Sequence, residues 1–165
     1  MAGGSPLGRL SPEYSTDLKQ LSNQYLDPLA RLNMPTEPNL DDLFDELCKP
    51  LKGSAESQEA LVEAVQQRFP GKGFCLVQAW RVLRADLNER ELAKVADAGH
   101  LPLFMQSNRV IVDSRGRFLP GDSVRSSMAV SFSDGVMFET KNTVYVLMGD
   151  GHEMLADLKS IFSFF

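Results

Sequence analysis

Residues 74–86, FCLVQAWRVLRAD, are the stretch on which the reading of this fold turns. The run is apolar and rich in β-formers, and it reads as a strand of the core with Trp80 inside it, although periodicity alone also admits a helix. Downstream of it the chain looks strand-rich. Leu103 to Gln106 and Arg109 to Asp113 are short extended runs, and Asn142 to Met148 (NTVYVLM) is the best strand by β-branched and aromatic content. Ser133-Asp134-Gly135 is a hairpin signal between Val124–Phe132 and Val136–Thr140. Asn88 followed by Glu91 has the spacing of a capping pair and predicts a short helix over 89–98, ended by Gly99. A last helix is expected over about 152–162, with Met154, Leu155, Leu158 and Ile161 on one face and a Phe162–Phe165 tail that could pack inward or against a second copy, as in a homodimer.

Upstream, the pattern is helical. Ser11-Pro12-Glu13 can start a helix whose face is Tyr14, Leu18, Leu21, Tyr25, Leu29 and Leu32, kinked or broken at Pro28. A second stripe, Leu40, Leu43, Phe44, Leu47 and Leu51, follows Asn39, and a third helix runs from Ser54 or Ser57 to Phe69 before Pro70-Gly71-Lys72-Gly73 stops it. The expectation is therefore an α+β chain. Residues 1–10 form a flexible tail, 11–69 an acidic helical unit, and 74–165 a small antiparallel β-rich domain with a short helix and a C-terminal helix.

Charge divides the chain at the same place. Residues 1–70 hold 6 Lys+Arg against 11 Asp+Glu, whereas residues 71–165 hold 11 of each, so the whole net charge of −5 lies in the first part. This disfavours nonspecific nucleic-acid binding, which needs a basic face. Overall, 43% apolar and 24% charged residues are those of a folded globular protein, and no apolar run is long enough for a membrane span or a signal peptide. Cys48 and Cys75 lie 27 residues apart with no CxxC, which suits reduced thiols in a cytoplasmic protein better than a disulfide or zinc framework.

Three constellations could carry function. Asp41, Asp42, Asp45 and Glu46 around Phe44 could present an amphipathic acidic helix to a protein partner. Arg109, Arg115, Arg117 and Arg125, with Phe118 among them, could contact phosphates or stack bases, but Asp113 and Asp122 interleave with them. Asp150, His152 and Glu153 on a glycine frame are weak candidates for a metal site or an acid–base pair, and the ordinary alternative is a strand-to-helix turn. No P-loop, GxGxxG, HExxH or GxSxG is present, and no catalytic residue or cofactor is assigned.

Val112 to His152, with its DSRGRF turn, GDSVRSS entry, DG hairpin and FETKNTVYVLMGDG strand, resembles an uncharacterised family of small proteins from bacteriophages and prophages. Lys141 and Ser123 depart from that pattern, where Arg and a bulky residue are expected. The resemblance implies origin more than activity. The favoured reading is a non-enzymatic protein-binding protein of phage or prophage origin, acting in the host cytoplasm as an inhibitor or modulator of a host defence protein. The alternatives are a small metal-dependent hydrolase at Asp150/His152/Glu153 and a nucleic-acid-binding regulator.

Overall fold

A computed structural model of the chain describes residues 47–163. They fall in one of the two units into which the chain divides, Leu40–Phe165; the other, Met1–Asn39, lies outside the described residues. So do the expected tail, the helices over 11–32 and the acidic residues Asp41, Asp42, Phe44, Asp45 and Glu46.

Chain order is β1 (Cys48–Lys52), α1 (Gln58–Arg68), β2 (Gly73–Ala85), α2 (Glu89–Asp97), β3 (Leu103–Asp113), β4 (Val124–Arg125), β5 (Ala129–Ser131), β6 (Met137–Thr140), β7 (Thr143–Leu147), β8 (Asp150–Ala156) and α3 (Leu158–Ser163). All eight strands form one sheet in the order β1-β8-β2-β7-β6-β5, with β3 on the other side of β2 and β4 on β3. The thirteen-residue β2 is its spine. One edge of β2 pairs antiparallel with β3, while the other pairs parallel with β7 over Gly73–Val77 and then with β8 over Arg81–Ala85.

This corrects the α+β expectation. Among the described residues the fold is mostly strand, the sheet is mixed, and there are only three short helices. Residues 48–52, expected to continue the second apolar helical stripe, form β1, which pairs antiparallel with β8. The third expected helix exists as α1, capped by the Ser57 side chain, but it belongs to no separate acidic unit: Leu61 and Val65 pack with Phe74, Leu76, Val144 and Val146 of the sheet. Likewise the apolar residues that suggested a helix from 152 are split between β8 and α3. In both places the backbone finds ladder partners, β8 for β1 and both β1 and β2 for β8, and tertiary pairing outweighs the local helical spacing.

A kink in β2 shapes the site. Ala79 is the one non-glycine residue with a positive φ, +49°, among the described residues. It shifts the alternation of the strand by one residue, so that Cys75 and Val77 before it and Trp80 and Val82 after it all enter one core, with Phe138, Tyr145 and Leu147. The facing strand β3 makes the same shift, from Val110 to Met105 and Leu103, and the buried Ser107 fills the corner. Its hydroxyl donates to the Gln78 carbonyl at 2.7 Å and accepts from the Arg109 N–H at 3.0 Å.

On the other edge of β2, the Trp80 indole N–H donates to the carbonyls of Met148 and Gly149, 3.1 and 3.2 Å away, where β7 gives way to β8. Gly151 is required here, because a Cβ on it would stand 2.6 Å from the Trp80 ring.

The other face of the sheet is covered at two places. At the start of β2, α1 covers Phe74 and Leu76; at its end, Leu83 and Ala85 pack with Phe104 and with Ile161 of α3. Between these apolar patches, along β2, lie Gln78 and Arg81.

Candidate functional site

That interval opens as a groove of about 440 Å³ crossing the sheet. Ala79 and Arg81 contribute from β2, Gln106 and Asn108 from β3, and Asp150 and His152 from β8, with Trp80 and Gly151 in the floor. Parallel pairing sets Arg81 beside His152, and antiparallel pairing sets Arg81 beside Gln106, so all three share a face. The Arg81 Nε–H donates to Gln106 Oε1 at 2.7 Å, and Nη1 lies 3.9 Å from Met154 Sδ. Gln106 is only 8% exposed, so it works as a buried strut for a guanidinium at the groove wall.

The Asp150/His152/Glu153 constellation is divided by strand alternation. Asp150 and His152, two residues apart, both line the groove. Glu153 turns to the opposite face, where Oε1 accepts from Arg84 Nε at 2.6 Å beside Leu47 and Lys49. No cluster of three or more metal-ligating side chains occurs among the described residues.

The four arginines do not form one basic face. Arg117 is spent on Asp113: Nη2 donates to Oδ1 at 2.9 Å, the backbone N–H donates to Oδ2 at 2.6 Å, and Nη1 reaches Thr143 Oγ1 at 3.0 Å. The Asp113 side chain is fully buried. Burial alone would raise its pKa, but the side-chain and backbone bonds from Arg117 outweigh that and hold it below the ordinary carboxyl value. The Arg115 side chain lies against Gly73, at a spot where a Cβ would meet its Nε at 2.6 Å. Arg125 donates to the Ile161 carbonyl at 2.8 Å and lies over the Phe162 ring. Phe162, the described part of the C-terminal tail, also packs edge-on to Phe104. Arg109 is exposed at the kink, paired in register with Gln78.

Cys75 lies beside the Asp113–Arg117 pair, and burial, with the Asp113 charge adding to it, pushes its thiol up to about 12. At neutral pH it is an inert core thiol. Burial also raises the pKa of Tyr145 in the same core.

Arg81, Gln106 and Asn108 were missed in the sequence. The signal was present in part, since Arg81 interrupts an otherwise apolar strand core, and a charge there needs a specific partner or an opening to water.

A family model for a domain of unknown function (DUF6957) matches residues 52–163 of the chain. It reaches well upstream of Val112 and takes in α1 and β2. No curated protein and no solved structure matches the chain. None of the helices among the described residues is long and apolar enough to cross a membrane.

Proposed function

The chain belongs to the DUF6957 family, and we propose that its domain is a non-enzymatic protein-binding module whose partner engages the groove across β3, β2 and β8. One observation carries this reading: five polar side chains on paired strands line one groove between two patches that helices cover. Side chains on a sheet are held in place before a ligand arrives, which lowers the ordering cost of binding. The sheet edges are weaker alternatives. β1 carries Lys49, Pro50 and Lys52, and β4 and β5 have two and three residues, all features that discourage strand addition.

The acidic residues Asp41, Asp42, Asp45 and Glu46, with Phe44, are a second contact in the same proposal, supported by the charge asymmetry of the sequence. Phage or prophage origin, a host-cytoplasmic setting and modulation of a host protein also belong to it, supported by the resemblance of Val112–His152; gene neighbourhood tests that part. The decisive experiment is affinity capture with the full chain. One saturable protein partner should be held by the wild type and weakened by Arg81→Gln and by charge reversal at Asp41, Asp42 and Asp45. A partner held equally by all of these variants would defeat the reading.

Catalysis has one observation in its favour, the shared groove of Asp150 and His152. The described residues that line that groove include no serine, threonine or cysteine to serve as nucleophile. Hydrolysis or divalent-metal uptake that is lost in His152→Ala would put catalysis in place of binding.

A further inference from the structure

Although the chain carries a net charge of −5, the groove lies in basic surroundings. Asp150 is the only carboxylate among the described residues that line it, and Arg81 stands in the wall opposite. Lys52 pairs directly across from Asp150 on β1, hence on the same face, and Arg109 is exposed at the kink. Neither the Lys52 nor the Arg109 side chain makes a hydrogen bond or ion pair with another described residue. Arg81 holds Gln106 by its amide oxygen, which presents the amide nitrogen as a donor, and Asn108 adds a second amide beside it. Fixed amide donors within a basic rim are complementary to a carboxylate.

Bases would find little here. Trp80 is 2% exposed, with its ring against Gly151, and so offers no stacking platform to a single strand.

We propose that the groove recognises the carboxylate side chains of an acidic peptide segment on the partner protein. This rests on the groove being the binding surface, and it adds the chemistry of what binds there.

The test uses the full chain and a fluorescein-labelled decapeptide of alternating Glu and Gly. Matched Lys–Gly and Ser–Gly decapeptides and an oligo-dT of the same length serve as comparisons. Anisotropy reports affinity, and emission of Trp80, the sole tryptophan, reports the groove. The Glu–Gly peptide should bind tightest and weaken with added salt. Its affinity should fall about tenfold in Gln106→Ala and about tenfold in the double variant Lys52→Ala/Arg109→Ala, the scale of one or two lost charge-assisted contacts. Both residues of the double variant are exposed, so it should keep the wild-type circular dichroism; Arg90→Ala, on the exposed surface of α2, should bind like wild type.

Equal binding of Lys–Gly and Glu–Gly peptides, tighter binding of the oligonucleotide, or an unaffected double variant would overturn the inference. Ser–Gly binding that shifts Trp80 emission as strongly as Glu–Gly would overturn carboxylate recognition while leaving the groove as the binding surface. If no peptide moves Trp80 emission and the captured protein partner is held equally by the groove variants, both readings fall.

Discussion

Arg117 and Arg81 both lie against the central strands, but their partners differ in a way that separates scaffold from site. Arg117 meets a fully buried carboxylate and a threonine hydroxyl, so its charge is neutralised where it sits. Arg81 donates to a neutral amide oxygen, which fixes its position at the groove wall. The first arrangement neutralises a charge in a corner, and the second holds a guanidinium at the wall of a groove. The DSRGRF turn therefore belongs to the scaffold, while the arginine within an apolar strand lines the candidate groove.

The largest expected effect tests this contrast directly. Asp113→Ala removes the ion pair and strips the acceptor from the Arg117 backbone N–H. It should cost about 3 kcal/mol, since a broken buried network leaves donors unpaired. For a chain of this size that is roughly 10 °C in Tm. Arg81→Gln should cost less than about 1 kcal/mol, because a neutral amide can stay bonded to Gln106. Thermal unfolding of both variants checks this, and equal losses would erase the distinction between corner and groove.

Gly151→Ala comes next, and it strikes the floor of the groove. The added methyl would stand 2.6 Å from the Trp80 ring, with the ring locked by its two indole hydrogen bonds. Overpacking of this kind costs about 2 kcal/mol. The same variant should shift Trp80 emission, which a change at the Asp113 corner would not do.

A smaller part of the corner's stability is removable with acid. The Asp113 carboxyl is held below its ordinary value, so its contribution is fully present above the unfolded pKa of about 4 and is lost as pH falls through the folded value. Asp134 is lowered too: burial opposes the shift, and the Met137 and Val136 N–H groups and Arg68 outweigh it. Urea midpoints measured from about pH 5 to about pH 2 should fall for the wild type and fall less steeply for Asp113→Asn. Parallel curves would mean that the corner does not depend on the Asp113 charge.

Much of the sheet could be read from local chemistry. Trp80 sits in the strand expected around it, Asn88 and Glu91 form their reciprocal cap, and Thr143–Leu147 are all buried. What local chemistry could not show is where long-range pairing overrides spacing. β1 and β8 exist because each finds the other, and neither CKPLK nor DGHEMLA has the composition of a strand. The site was half legible for the same reason. Asp150 and His152 stood out as a local cluster, whereas Arg81 and Gln106 are 25 residues apart and meet only through the β2–β3 ladder.

The smallest effect is expected at the kink that opens the groove. Ala79 holds a left-handed φ of +49°, which costs an L-residue about 1–2 kcal/mol. Glycine would relieve that strain but lose about 0.5–1 kcal/mol through its freer unfolded chain. Ala79→Gly should therefore raise stability by about 0.5 kcal/mol. Because glycine lets the corner sample other φ values, affinity for the acidic peptide should fall by about two- to threefold, a few tenths of a kcal/mol in ordering cost. Ala79→Val should do the reverse to stability, since a β-branched residue is worse in that region. A stabilised variant with weaker binding would show that the sheet holds Ala79 in strain to keep the groove in shape. A destabilised Ala79→Gly would instead mean that the alanine methyl packs better than its backbone angle costs, and the kink would then belong with Asp113 and Arg117 to the scaffold.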